Sequence, residues 1–293
     1  MNFTNFNPLV SIIVNCYNGE KYLSKALNSI INQKYKNWEV IFWDVSSSKK
    51  SKEIFESFDE KRFKYFFAHK KKLYHSRNDA IKKSTGEIIA FLDCDDWWVE
   101  NKLEKQVPFF KDNSINLVYS NFYSYFEKSK KNVAISEKKI YSGFIQSKLL
   151  KNYHIGILTT LIRRKVFDEF SGYNNNFHIC GDFEFNIRLS QNNKIIGLKE
   201  PLAYYRIHEK NISKNLTEEI VELENCLAIF KKQNINKKDI NQFENFLIYK
   251  KFYKNIYEKK ISIAFKIFLK MKYNFFKFKA LILFFLPKSM LNR

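Results

Sequence analysis

Three carboxylates, Asp93, Asp95 and Asp96, stand in the segment FLDCDDWW (91–98), after an apolar run and before two tryptophans. Asp93 and Asp95 are two residues apart, and in a partly dry cleft such a pair repels unless a cation lies between them. Oxygen donors without a nearby His or Cys pair suit a hard divalent ion, Mg2+ or Mn2+, which keeps positions open for phosphate oxygens. Asp95 and Asp96 have a second reading as caps of a helix beginning near Trp97; Asp93 sits too early for that role. A further carboxylate, Asp182, opens GDFEFNIRLS (181–190) among Cys180, Gly181 and Phe183. That weakly polar setting raises basicity and suits a proton acceptor, with a helix cap as the structural alternative. Glu184 would point to a different helical face. His208, in YYRIH (204–208), is either a ligand or a structural histidine, and Arg206 beside it can reach phosphate or an acidic neighbour. Trp97 and Trp98 read as packing for at least one of the pair, although aromatic faces also stack on sugars and bases.

The elements that must position these groups follow from periodicity. LVSIIVNC (9–16), WEVIFWD (38–44), FKYFFA (63–68) and EIIAFLD (87–93) are apolar runs of strand length. Between them, GEKYLSKALNSIINQ (19–33), SKEIFESF (51–58) and HSRNDAIKKS (75–84) repeat apolar residues at helical spacing. Alternating strands and helices predict an α/β fold with a mostly parallel sheet covered on both faces. Ligands then bind at the carboxyl ends of the strands. Asp44 ends one strand, Asp93 another, and Cys16, Tyr17 and Asn18 follow the first, so three tips are expected to share one crevice.

Five segments in order carry a resemblance. VSIIVNCYN (10–18), SRNDAIKKSTGEIIAFLDCDD (76–96), TTLIRRKVFDEFSGYNNNF (159–177), GDFEFNIRLS and YYRIH resemble a family 2 glycosyltransferase of the GT-A fold, over about the first two hundred residues. The resemblance implies a Rossmann-like catalytic domain over 1–214, with a nucleotide-sugar half over 1–96 and an acceptor half over 97–214. It implies an inverting transfer from a nucleotide sugar, with UDP-sugars first, to a hydroxyl of a glycan or lipid-linked glycan. Residue by residue, Asp44 stands where the family contacts the base, Arg77 near the nucleotide and Asp93 on the ribose. Tyr17 and Asn18 join these donor contacts, Asp95 holds the metal, His208 closes over metal or diphosphate, and Asp182 is the general base. Departures are local: DVSS (44–47) replaces DDGS, Gly181 replaces a Glu, and Asn15-Cys16 replaces Pro-Thr. They bear on donor preference and leave the chemistry intact.

At 293 residues and 45% hydrophobic content the chain can bury a large core; 7 Gly and 4 Pro leave no room for low-complexity linkers. Four scattered cysteines without C-x-x-C spacing argue against zinc or a disulfide framework and for a reducing compartment. The opening MNFTNFNPLV lacks a secretory pattern, and ALILFFLP from Ala280 is too short to span a bilayer. A cytoplasmic protein is expected, peripheral on the inner face of the membrane. Residues 215–293 read as a basic helical extension. From Lys250 to Arg293 there are twelve basic residues against one acidic, about half of the net charge of +21. On one continuous wheel Lys259, Lys266, Lys270 and Lys277 form a stripe opposite Ile261, Phe265, Phe268, Met271, Phe275 and Ile282. That pattern suits an anionic membrane surface, or packing on the catalytic domain. The rivals are a sugar-nucleotide pyrophosphorylase, whose Gly-rich loop is missing, and a membrane or nucleic-acid adaptor. A nucleic-acid partner is not expected, since an adaptor has no use for carboxylates at strand tips. Specificity is expected in loops such as 122–156, where no motif is legible.

Overall fold

The computed structural model describes residues 6–46, 48–69, 71–129, 131–134, 139–272 and 275–285. Residues 1–5, Ser47 of the DVSS loop and the stretch containing Pro287 lie outside the described residues, as does the Phe275 side chain. The chain divides into two compact units. One runs to Gln146 and resumes over His154–Asn211; the other takes Ser147–Tyr153 and the described residues from Ile212 onward.

In the first unit the strands are β1 (Val10–Cys16), β2 (Trp38–Asp44), β3 (Phe63–Phe67), β4 (Ile88–Asp93), β5 (Trp97–Trp98), β6 (Ile115–Phe126), β7 (Lys131–Ala134), β8 (Leu161–Arg163) and β9 (Lys194–Ile207). They form one sheet in the order β3-β2-β1-β4-β8-β6-β9-β5, with β7 beside β6. The expected parallel half is β3-β2-β1-β4. Beyond it β8 enters antiparallel to both β4 and β6, β9 runs parallel to β6, and β5 closes antiparallel on β9.

Helices α1 (Glu20–Ile31), α2 (Lys50–Glu56) and α3 (Leu73–Lys83) make the crossovers; α4 (Lys102–Gln106), α6 (Arg164–Glu169) and α7 (Gly181–Ser190) follow, and α5 (Gln146–Lys151) leads into the second unit. Side chains alternate across a strand, so β1 and β4 serve two cores. Val10, Ile12, Val14, Cys16, Ile88, Ala90, Leu92 and Cys94 pack with Leu23, Ala26, Leu27 and Ile30 of α1. On the other face Phe91 meets Phe167 and Tyr173, and Phe167 stacks on Phe185 of α7. Phe91 and Asp93 therefore share a face with α3, while Cys94 shares the α1 face with Cys16.

No helix begins near Trp97. β5 pairs Trp97 with Tyr204 and Trp98 with Ala203, and α4 starts only at Lys102, so neither Asp95 nor Asp96 is a cap. The tryptophans hold this strand in place: the Trp98 indole donates to the Leu158 carbonyl at 2.8 Å, and Trp97 is stacked on Tyr204 at 4.7 Å. Both are buried.

The second unit contains α8 (Leu216–Lys232), α9 (Lys237–Tyr257), α10 (Ile261–Lys270) and α11 (Phe275–Phe285). Asn215 and Asn236 cap α8 and α9 through side-chain oxygens, and Lys250–Glu219, Lys251–Glu224 and Lys231–Glu244 pair the two helices. Phe252, Ile256, Ala264, Met271 and Ala280 form its apolar core. The continuous wheel does not hold here. α9 stops at Tyr257, Lys259 adopts φ +61°, and Met271 is extended, so α10 and α11 are separate short helices. Phe268 and Met271 turn into this core, whereas Ile261, Phe265 and Ile282 are exposed.

Candidate active site

Register brings the strand tips together. Asp44 lies opposite Cys16 and Asp93 opposite Asn15, so Asp44, Asp93 and the turn carrying Tyr17 and Asn18 all lie at the carboxyl edge of β2, β4 and β1. Tyr17 is 48% exposed. Asn18 takes φ +50°, a left-handed conformation that Asn tolerates, and its amide donates to Ser46 Oγ at 3.0 Å. Asp44 is buried; it accepts from the Ser46 amide at 2.8 Å and from the Tyr65 hydroxyl at 2.9 Å, which shapes the loop after β2. Val45 contributes its backbone, donating to the Cys16 carbonyl.

On the α3 face, Arg77 donates Nη2 to both oxygens of Asp93, at 2.7 and 2.9 Å. The guanidinium is 1% exposed and the carboxylate 31%. Burial alone would lower the Arg77 pKa, but the charge and hydrogen bond of Asp93, together with Tyr74 and Tyr173, hold the group above its ordinary value. Among the described residues Nε and Nη1 of Arg77 and both ends of the neighbouring Asn15 amide have no hydrogen-bond partner.

The DCDD segment is held from β9. Arg206 donates its amide to Asp96 Oδ1 at 2.8 Å and Nε to the Asp95 carbonyl at 2.7 Å. Its guanidinium lies over the rings of Tyr22, Trp97 and Tyr125, at 4.4, 4.7 and 5.4 Å. The guanidinium thus reaches the Asp95 backbone, and it is the Arg206 amide that meets the Asp96 carboxylate. Burial, with Asp95 and Asp93 nearby, pushes the Asp96 pKa well above the usual carboxylate range. Asp95 Oδ2 and His208 Nε2 are 2.9 Å apart. Because His208 Nδ1 accepts from the Lys210 amide at 3.2 Å, the ring proton sits on Nε2 and points at Asp95. Tyr22 packs on the imidazole at 5.2 Å between centroids and is itself held by Glu127, at 2.9 and 3.0 Å. Among the described residues no group of three or more His, Cys, Asp or Glu side chains surrounds a metal position. The donor set here is one carboxylate oxygen and one imidazole nitrogen.

Asp182 lies in the first turn of α7, where the helix dipole favours an anion, and Cys180 is the N-cap. The Tyr74 hydroxyl donates to its Oδ1 at 2.7 Å. Tyr74 and Arg77 are one turn apart on α3, so one helix face touches both Asp93 and Asp182. Glu184 is buried against Arg188 at 2.6 Å and takes no part. The sequence reading missed Tyr74, Tyr22 and Glu127; the legible signal was Tyr74 three residues before Arg77 on a helix. Cys16 and Cys94 meet on the α1 face. The Cys94 thiol lowers the Cys16 pKa, while the bond to Cys16 and burial raise that of Cys94.

Comparison with known proteins accords with this geometry. The family model described as glycosyl transferase family 2 matches residues 11–171. The UDP-Glc:alpha-D-GlcNAc-diphosphoundecaprenol beta-1,3-glucosyltransferase WfgD of Escherichia coli is 32% identical over 215 residues, 72% of this chain and 82% of that protein. Among solved structures, S. aureus TarS 1-349 in complex with UDP-GlcNAc superposes with a TM-score of 0.66 at 17% identity, covering 83% of this chain and 72% of that one. The mannosyltransferase PcManGT from Pyrobaculum calidifontis, in complex with GDP-Man and Mn2+, gives 0.63 at 16%, covering 83% and 71%. The fold is GT-A.

Proposed function

Because this chain belongs to glycosyl transferase family 2, we propose that it moves a sugar from a UDP-sugar to a hydroxyl of a lipid-linked glycan, with inversion at the anomeric carbon. The observation that carries the reading is the pairing of Asp95 with His208 beside an Arg77-held Asp93, at the edge where Asp44 and Asn18 also lie. The UDP donor and diphospholipid acceptor are supported by the names of the E. coli relative and of the TarS complex.

One carboxylate oxygen and one imidazole nitrogen, joined by a 2.9 Å hydrogen bond, would exchange that bond for a divalent ion that takes most of its ligands from diphosphate and water. Asp95 and His208 would hold it, and the Mn2+ of the mannosyltransferase structure supports the choice of ion. When bound, Mg2+ or Mn2+ neutralises charge on the departing diphosphate. To ligate through Nε2, His208 would carry its ring proton on Nδ1 and release the Lys210 amide, while Arg206 keeps the Asp95 backbone in place. Asp93, held by Arg77, receives the ribose, and Asp44 orders the loop at the base. Asp182 takes the acceptor hydroxyl proton as oxygen bonds to the anomeric carbon and the bond to diphosphate breaks.

The acceptor implies a bilayer. Among the described residues no helix is long and apolar enough to cross a membrane. Exposed Ile261, Phe265 and Leu269 follow one another at four-residue spacing along α10, flanked by Lys266 and Lys270. Such a face suits an interfacial helix on anionic lipid, which would place the enzyme at the inner surface of the membrane.

The test is transfer or donor hydrolysis across a panel of nucleotide sugars with Mn2+. Asp95→Asn and Asp182→Asn should each abolish turnover while unfolding like the parent. Near-normal turnover in both variants would sink the assignment.

A further inference from the structure

We propose that Tyr74 is a positioning residue for Asp182, and that residue 181 is glycine so that the phenol can reach it. The inference rests on the reading of Asp182 as proton acceptor. The Tyr74 ring is 2% exposed and lies edge-on to Tyr173, at 5.0 Å between centroids. Its hydroxyl meets Asp182 Oδ1 at 2.7 Å and the Ile179 carbonyl only at 3.4 Å, so its single hydrogen belongs to the carboxylate. A Cβ on residue 181 would lie 2.4 Å from Cγ and Cδ2 of this ring and 2.7 Å from Cδ1. No side chain fits there while the ring keeps its place. The Glu that often precedes the base in the resembled family is thus exchanged for glycine, and an aromatic ring from α3 fills the space.

The hydrogen bond stops the carboxylate from turning about χ2. Tyr74 keeps its own proton throughout, since burial and the adjacent Asp182 charge raise its pKa well above the ordinary phenol value. The acceptor proton moves to the Asp182 carboxylate as the new glycosidic bond forms, and the diphosphate leaves with the bonding pair. Tyr74 and Tyr173 bear on Asp182 directly; Arg77 on α3 faces both tyrosines, Asp93 on β4 faces Tyr173, His178 accepts from the Leu73 amide beside Tyr74, and Cys180 and the Glu184–Arg188 pair flank Asp182 in sequence.

Tyr74→Phe keeps the ring and removes only the donor. Losing a hydrogen bond to a charged group should lower kcat by about tenfold to a hundredfold, with the donor KM within about twofold. The acid limb of the kcat–pH profile should move upward, because a carboxylate that loses a donor binds its proton more tightly. Gly181→Ala should cost about tenfold in the parent and less than about twofold in a Tyr74→Ala background, since the ring it displaces is already gone. Tyr74→Phe with parental kcat and pH profile overturns the proposal, as does an equal cost of Gly181→Ala in both backgrounds. Asp182→Asn separates the two levels of argument. If it is inactive while Tyr74→Phe is normal, only the positioning role falls; if it turns over, the base assignment falls and takes the positioning role with it.

Discussion

Breaking the Arg77–Asp93 ion pair from its two sides should have unequal consequences. The guanidinium is 1% exposed and the carboxylate 31%, so removing Asp93 strands a charge in the core, whereas removing Arg77 strands one at the cleft wall, where water reaches it. In Asp93→Ala, Nη2 joins Nε and Nη1 as a buried donor without a partner. An uncompensated buried charge of this kind costs about 3 to 5 kcal/mol, and the partial hydration of Asp93 puts the expectation near the lower figure. In Arg77→Met the new side chain lies against the rings of Tyr74 and Phe91, which the guanidinium faces at 4.7 and 5.9 Å, and the loss should be under about 1 kcal/mol. All four tryptophans, Trp38, Trp43, Trp97 and Trp98, belong to the unit that carries the pair. Urea unfolding followed by tryptophan fluorescence therefore reads the right transition. Equal losses, or a larger loss in Arg77→Met, would refute the argument from burial.

Glu39 gives a pH prediction. Burial raises its pKa, but donors from Lys64, Ser11 and Thr85 outweigh this and bring it down to about 2. A depressed carboxylate stabilises the fold above its unfolded pKa, so that contribution should fade as pH falls from about 4.3 toward 2; Glu39→Gln should flatten the acid side of the stability curve. Gly19→Ala puts a Cβ 2.2 Å from Cys94 Sγ and 3.2 Å from Cys16 Sγ. It should cost about 1 to 3 kcal/mol in urea unfolding, and a Cys94→Ala background should recover most of the loss. His208→Ala should raise the Mn2+ concentration for half-maximal donor hydrolysis by about tenfold or more, with full activity lost to EDTA in the parent; an unchanged requirement removes His208 from the metal site. Phe265→Ser with Leu269→Ser should reduce co-sedimentation with phosphatidylglycerol vesicles while leaving donor hydrolysis in solution intact. Parental sedimentation would exclude α10 as the membrane face.

The parallel half of the sheet was legible because β1, β2 and β4 are buried on both faces and so are written as continuous apolar runs with crossovers between them. Asp93 could be assigned to a strand tip from its place after IIAFL alone. The antiparallel half was not. INLVYSNFYSYF of β6 mixes aromatic and polar residues along an extended strand, and β9 meets it with register shifts that no local pattern encodes. Trp97 and Trp98 resembled a helix start because a two-residue strand has no periodicity; only Tyr204 and Ala203, about a hundred positions away, make it one. The Asp182 partner was hidden for a different reason. A tyrosine at residue 74 is unremarkable until Gly181 is seen to yield its space. The tail misled through continuity, since the left-handed Lys259 and the extended Met271 leave little trace in composition yet reset the helical phase on either side.

Asp95 and His208 are separated by 113 positions, and the imidazole arrives at the end of β9. A ribosome releases the amino-terminal portion first. During synthesis the growing polypeptide therefore carries the acidic DCDD turn for some time before its imidazole counterpart exists, and the contact between them can close only once the last long strand has been made.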